Sequence, residues 1–527
     1  MRKEKKKGLI MDTIRDFFED AVRESGAAVF LRENDGSAWH ETTYSQAKDR
    51  TLRILAGFLK LGLTDACSSG ERARIAIMRE NCAKWILGYL ALAGCGFVVV
   101  PVDPHLKAGE AAHILTDSES SLVWADDALA SVLGEAATST RKILASEFDR
   151  LLESLTDADL AAAARFWETH VPETDNLASI VYTSGTTGRP KGAMLSHGNF
   201  TSNVDQTFSR VMFYETDHFF LVLPLFHVFA FTLDFLMPLR KRAQISLARS
   251  MRSVPADLAE LHPTVFLAVP LLVELLYARA RALITSLRVL GVGGAPISKG
   301  ALDDLIHAGV FVLEGYGITE CAPGVSYPDE KRYVPGTVGM PLDGMEWRIT
   351  NSDETGAGEL RVKGPNVMRG YWKNPVETAK VFDEDGFYRT GDIVRPVLNG
   401  NFTICGRTKA LIVNREGKNI YPEEIERVIS RSPHVAEVIG VGYRVGNEVG
   451  ERVGAIVVPN TDEVRSTWPT ASQDEIVRRI RADVQQLCHD LLAEYKLPRK
   501  IDVRFSPLER TASMKVRRFV YARALDE

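Results

Sequence analysis

Six short runs of apolar, often β-branched residues constrain the fold of this chain more than any other feature. RIAIM at 74, FVVVPVD at 97, SIVYTS at 179, TVFLAVP at 264, RVLGVGG at 288 and VFVLEGYG at 310 present no polar face. A strand that is apolar on both sides must be covered on both sides, as central strands of parallel sheets are when helices flank them. The segments between these runs supply the helices. YSQAKDRTLRILAGFLKLG (44–62) and NCAKWILGYLALAG (81–94) have helical spacing of apolar residues and end at glycine. The fold class expected is α/β, with a large N-terminal domain of parallel or mixed sheets covered by helices.

After about residue 340 the pattern changes to shorter, more polar strands such as GELRVKG (358–364) and NFTICGR (401–407). Beyond GRTK it restarts as α+β: PEEIERVI, VAEVIGVGY, GAIVVP, and a helix through DEIVRRIRADVQQLCHDLL (474–492). A domain boundary is expected near Arg407 to Lys409, dividing the chain into a large domain, 1–407, and a small mobile domain, 408–527, long enough to fold by itself.

Composition narrows the function classes. The 64 basic and 69 acidic residues leave a net charge of -5, so no overall field draws polyanions and nucleic acid is not an expected partner. Cysteines 67, 82, 95, 321, 405 and 488 form no CxxC pair or metal-ligand spacing, which suits reduced thiols and a cytoplasmic protein. The start, MRKEKKKGLIMDTIRDFFEDAV, lacks the unbroken apolar stretch of a secretory signal. Ile10, Ile14, Phe17, Phe18 and Val22 can form one helical face, expected to dock on the protein, with membrane contact at most peripheral. FFLVLPLFHVFAFTLDFLMPL (219–239) is long enough to cross a bilayer, but Pro224, His227, Asp234 and Pro238 argue for a buried strand, a turn and a helix under a pocket.

IVYTSGTTGRPKGAML (180–195) carries the clearest chemistry. A strand feeds a turn in which Gly185, Gly188 and Gly192 let backbone amides approach a ligand, Thr183, Ser184, Thr186 and Thr187 add hydroxyl donors, and Lys191 adds charge. Donors gathered without acceptors suit an anion, most simply a polyphosphate. It is not a Walker A loop, which needs Gly-Lys adjacent and then Ser or Thr. Here Arg189 and Pro190 separate Gly188 from Lys191, and Gly192 follows.

Seven further motifs lie in order: LPLFHVFA (223–230), GGAP (293–296), GYGITE (315–320), RGYWKNP (369–375), YRTGD (388–392), GRTKALIVNREGKNIYPEEIE (406–426) and RTASMK (510–515). With YTSGTTGRPKG (182–192) they make the chain resemble the adenylate-forming, AMP-binding enzymes, which include acyl-CoA synthetases, luciferases and the adenylation domains of peptide synthetases. GKNIYPEEIE and RTASMKVRR look most similar to long- and medium-chain fatty acyl-CoA synthetases. The resemblance implies a distorted β-barrel subdomain within the large domain and two half-reactions in one site. A carboxylate displaces pyrophosphate from magnesium ATP to give an acyl-adenylate. The thiol of coenzyme A then takes the acyl group and releases AMP.

Site roles follow from the same resemblance. Thr183, Ser184, Gly185, Thr186, Thr187, Gly188 and Lys191 would cradle phosphates, joined by Gly294, Ala295 and Pro296. Gly315 and Gly317 would close around adenine, Tyr316 would stack on it, and Thr319 would donate to phosphate. Thr183 and Glu320 would hold Mg²⁺, Asp392 the ribose hydroxyls, and Arg407 ribose or α-phosphate. His227 would orient the reacting carboxylate, and Lys515 would neutralise charge at the α-phosphate. Met514 stands where relatives commonly have glycine. Lys409 would be the hinge about which the small domain swings between half-reactions.

Phe226, Val228, Phe229 and Phe231 would line the acyl pocket. Amino-acid-activating relatives tend to place Asp where Val228 stands, so the implied acid lacks an amino group, and a medium- or long-chain fatty acid is expected. An acyl carrier protein's thiol is the alternative acceptor, as in acyl-ACP synthetases and fatty acyl-AMP ligases. ATP binding without turnover is the reading from a different class.

Overall fold

The computed structural model describes residues 12–63, 72–136, 138–183, 189–293, 297–416, 418–446, 450–510, 516–521 and 524–526. The chain divides into two compact units. One comprises the residues up to Trp347 with Val362–Tyr388 and Leu398–Asn401; the other comprises Arg348–Arg361, Arg389–Val397 and the residues from Phe402 onward.

Two large sheets organise the first unit. In one, the strands run in the order Arg141–Leu144, Leu122–Ala125, Arg74–Met78, Val98–Pro101, Leu177–Thr183, Lys191–Ser196. Every neighbouring pair is parallel except the last, an antiparallel hairpin on the sheet edge. In the other, the order is Phe311–Glu314, Val289–Val292, Val265–Ala268, His218–Leu221, Gln244–Leu247, Val29–Asn34, Trp39–Thr43, again parallel until the final pair. The expected central strands are covered: all five residues of Arg74–Met78 and all four of Val98–Pro101 are buried. Each fully covered Val, Ile or Leu contributes about 1.5–3 kcal/mol, an upper value because unfolded chains already bury some apolar surface.

Helix Ile14–Ser25 starts at a capping box in which Thr13 and Asp16 exchange hydrogen bonds. Ile14, Phe17 and Phe18 are buried, Phe18 meets the Trp167 ring edge-on, and Arg15 donates to the Trp167 and Gly94 carbonyls. The apolar face therefore docks on the protein; Ile10 lies outside the described residues. The long apolar stretch after His218 forms a strand, a turn, the short helix Val228–Ala230, a π-helical turn Phe231–Leu236, and helix Met237–Lys241. No helix among the described residues is long and apolar enough to cross a membrane.

Helix His197–Phe208 is polar in sequence yet almost wholly buried. Its side chains serve as brackets. Asn199 Nδ2 donates to the Pro365 and Val367 carbonyls, and Asn203 exchanges two 3.0 Å bonds with Gly324.

In the second unit, strands Val435–Tyr443 and Arg452–Pro459 pair antiparallel, and Lys500–Val503 adds in parallel. Helices Pro422–Ile429 and Gln473–Leu491 contribute Ile425, Ile480 and Val484 to one core with Ile412 and Val453. Strands Glu346–Thr350, Gly358–Lys363, Tyr388–Pro396 and Phe402–Arg407 form a further four-stranded sheet.

Candidate active site

The edge hairpin places Thr183 directly opposite Lys191 and Tyr182 opposite Gly192. The turn between them, with Ser184, Gly185, Thr186, Thr187 and Gly188, lies outside the described residues. A Cβ on Gly192 would come within 2.5 Å of Ile180, so only glycine lets the returning arm lie this close. The Lys191 ammonium is mostly covered, pairs with Glu377, and sits 5.3 Å above the centre of the Tyr371 ring. Hydrogen bonds from Lys191 and Lys380 hold the Glu377 carboxyl down at about 2.

Three loops leave the second large sheet at the carboxyl ends of parallel strands, where α/β sheets collect ligands. After His218–Leu221 comes the loop bearing Phe226 and His227. His227 Nδ1 accepts from the Phe229 amide at 3.2 Å and caps the helix that follows. After Val289–Val292 comes Gly293, against which the Phe229 ring rests; a Cβ there would lie 2.8 Å from the ring. Gly294, Ala295 and Pro296 lie outside the described residues, but the Ile297 amide is received at 3.4 Å by Glu314, whose carboxyl is pushed up by burial.

The third loop, after Phe311–Glu314, is GYGITE. Tyr316–Gly317 pairs antiparallel with Gly324–Tyr327, and a Cβ on Gly317 would come within 2.5 Å of the Pro323 carbonyl. Thr319–Cys321 forms a single tight turn that displays Glu320. The following residues are pinned: Thr232 donates to the Ala322 carbonyl at 2.9 Å, and Asn366 donates to the Cys321 and Gly324 carbonyls. Cys321 is buried. Glu320 Oε1 accepts from the Tyr371 hydroxyl at 2.7 Å.

Lys191 and Glu320 thus meet across one residue that reading the sequence did not assign. Tyr371 belongs to RGYWKNP, a motif noticed for its resemblance alone. Its companion Glu377 follows two residues after that motif. A buried-looking lysine without a nearby acidic residue in sequence was the signal that could have prompted a search for such a counter-ion.

Of the expected acyl-pocket residues, Val228 and Phe231 are buried, whereas Phe226 and Phe229 are partly exposed. Phe231 packs into an aromatic group with Tyr89 and Phe200 at 4.5 and 4.9 Å between ring centres. Asp234, on the same π-helical turn, is fully buried; among the described residues neither carboxyl oxygen has a hydrogen-bond partner, and desolvation raises its pKa well above 3.8.

In the second unit, Asp392 stands opposite Arg407 in paired strands, and the two form an ion pair at 2.8 Å. Asp392 is buried while Arg407 is half exposed, so the carboxylate is fixed and the guanidinium reaches solvent. Lys409 lies in the turn Thr408–Ala410 just beyond. Behind it, Arg518 pairs with Glu426 at 2.6 Å. Lys515 lies outside the described residues. Among the described residues no cluster of three or more His, Cys, Asp or Glu could hold a metal. Glu320 remains as a single fixed carboxylate.

Comparison with known proteins agrees with this layout. The family model of the AMP-binding enzyme matches residues 17–372, and that of the AMP-binding enzyme C-terminal domain matches 424–515. The long-chain-fatty-acid–CoA ligase of Salmonella typhimurium is 28% identical over 507 residues, covering 88% of this chain and 86% of that protein. The feruloyl-CoA synthase of Amycolatopsis sp is 30% identical over 92% of this chain and 91% of its own. The crystal structure of ATP-bound MatB from Rhodopseudomonas palustris superimposes with a TM-score of 0.81 at 26% identity, covering 97% of this chain and 98% of that one. With a family model spanning more than half of its length, the chain belongs to the AMP-binding enzyme family.

Proposed function

We propose that this ATP-dependent acid–CoA ligase activates a medium- or long-chain fatty acid. The observation that carries the nucleotide half of the reading is the convergence of a phosphate-seeking cation, Lys191, and a hard-oxygen carboxylate, Glu320, on Tyr371. The acid half rests on the apolar set Phe226, Val228, Phe229 and Phe231 beside His227, with no carboxylate immediately after the histidine to receive an ammonium. Similarity to a long-chain-fatty-acid–CoA ligase supports the same acid class.

In the first half-reaction a carboxylate oxygen attacks the α-phosphorus of ATP, the bond to the pyrophosphate oxygen breaks, and acyl-adenylate forms. Protein groups supply position and charge rather than covalent chemistry. Lys191 and the amides and hydroxyls around Thr183 hold phosphate, Asp392 receives the ribose hydroxyls with Arg407 beside it, and Tyr316 covers adenine. His227 orients the attacking carboxylate. Lys515, brought by the C-terminal domain, neutralises oxygen charge as it develops at the α-phosphate, a contribution of about 3 kcal/mol. Magnesium is taken with one or two carboxylates and several phosphate oxygens, so one carboxylate fixed by a phenol fits an ion that arrives with the nucleotide. That ion would supply Lewis-acid charge at Glu320 and Thr183. In the second half-reaction the coenzyme A sulfur attacks the acyl carbon and AMP leaves, after the small domain turns about Lys409.

A panel of carboxylic acids differing in chain length, aromaticity and charge, scored for pyrophosphate release and then for coenzyme-A-dependent AMP formation, tests the reading. Medium or long aliphatic acids should give the highest kcat/KM. A preference for hydroxycinnamic or dicarboxylic acids would overturn the fatty-acid assignment, and no acid-dependent pyrophosphate release would overturn the ligase reading itself.

A further inference from the structure

The segment around Tyr371 does more than connect. Residues 369–372 run antiparallel beside Lys191–Ser196, joined to it by a single bridge at Tyr371 and by backbone hydrogen bonds: the Arg369 amide donates to the Met194 carbonyl at 3.1 Å, the Met194 amide to the Gly370 carbonyl at 2.9 Å, and the Trp372 amide to the Gly192 carbonyl at 2.7 Å. On the other side, the Met368 amide donates to the Glu320 carbonyl at 2.8 Å. The Tyr371 amide is held by Thr378 Oγ1 at 2.9 Å, and its side chain is almost fully covered. The backbone that bears this phenol is therefore fixed from the phosphate arm, from the metal-carboxylate turn and from the following helix.

Glu320, by contrast, sits on one short turn and has three rotatable side-chain bonds. Ordering such a side chain when a ligand binds costs free energy that pre-positioning removes. The Tyr371 hydroxyl is its only hydrogen-bond partner among the described residues, and a phenol-to-carboxylate bond is of the stronger, charge-assisted kind. The face of the same ring carries Lys191.

We propose that Tyr371 is a positioning residue that keeps Glu320 aimed for magnesium while its ring face seats Lys191, so that the metal contact and the phosphate contact of one nucleotide are set by a single side chain. This rests on the nucleotide reading above.

Direct titration of ATP with and without Mg²⁺, by calorimetry on the full-length protein, tests it alongside AMP without metal. In Tyr371→Phe the enhancement of ATP affinity by Mg²⁺ should fall about tenfold and the half-saturating Mg²⁺ should rise, while metal-free AMP binding stays within about twofold of wild type. In a Glu320→Gln background, Tyr371→Phe should change the Mg²⁺ enhancement no further, the non-additivity expected of two residues acting as one unit. A thermal unfolding midpoint shared by wild type and Tyr371→Phe would establish that the fold is intact. If Tyr371→Phe leaves the enhancement unchanged, weakens AMP equally, or adds fully to Glu320→Gln, the positioning role is refuted. If wild type itself shows no Mg²⁺-linked ATP binding, it is the nucleotide reading that falls.

Discussion

Asp234 should make the stability of this protein depend on pH in an unusual direction. Its carboxyl is fully buried, both oxygens lack partners among the described residues, and desolvation is the sole cause of a pKa raised well above 3.8. The folded chain keeps a proton there at pH values where the unfolded chain has released it. Because the native state then binds more protons, stability from this site is lost as pH rises from the unfolded pKa toward the folded one. One proton corresponds to a slope of about 1.4 kcal/mol per pH unit. Asp234→Asn keeps the size and the neutral hydrogen-bonding character of the side chain and removes the titration. In urea unfolding of wild type and variant at pH values stepped upward from about 4.5, the variant's advantage should grow by about 1.4 kcal/mol per unit until the folded pKa is reached. Taking the difference cancels His197 and His218, which burial lowers to about 4 and whose contributions run the opposite way, lost as pH falls below 6.5. Parallel stability curves for the two proteins would refute the reasoning, since a carboxyl that stays charged in the fold has found a compensating partner.

Three further outcomes are expected. Lys191→Met removes the ammonium facing Glu377 and should raise the KM for ATP about tenfold or more, with the order of preferred acids unchanged in initial-rate assays. Lys515→Ala should slow adenylation by about a hundredfold or more while sparing thioester formation from supplied acyl-adenylate; equal loss in both steps would remove the role assigned to it. Gly293→Val places carbon where the Phe229 ring already lies 2.8 Å from a Cβ position, so the ring must move, and competition between acids should shift toward shorter chains.

The sheets were legible because their signal is local. RIAIM and FVVVPVD are apolar on both faces and form strands buried along their whole length in the first unit. The strand Lys191–Ser196 carries no such signal: KGAMLS has little strand character, and its extended form depends on pairing with Leu177–Thr183 and on hydrogen bonds with Gly370 and Tyr371, the latter far along the chain. Helix His197–Phe208 was not singled out: HGNFTSNVDQTF has the composition of a solvated segment, and nothing local indicates that Asn199 and Asn203 bind carbonyls 121 to 168 residues away. The site divides the same way. Glu320 and Lys191 were found because a motif frames each, whereas Glu377 lies 186 residues from Lys191 and the Tyr371 hydroxyl meets Glu320 across 51. Spacing and periodicity carry no trace of such partners.

The bracketing helix has a consequence for how the polypeptide is made. During synthesis His197–Phe208 emerges long before Pro365 and Val367, so Asn199 Nδ2 waits through 166 to 168 further residues, bonded only to water, before its carbonyl partners exist. A nascent chain released before Val367 cannot close that bracket, and truncated messages ending there should yield aggregates or chaperone clients rather than a smaller working lobe.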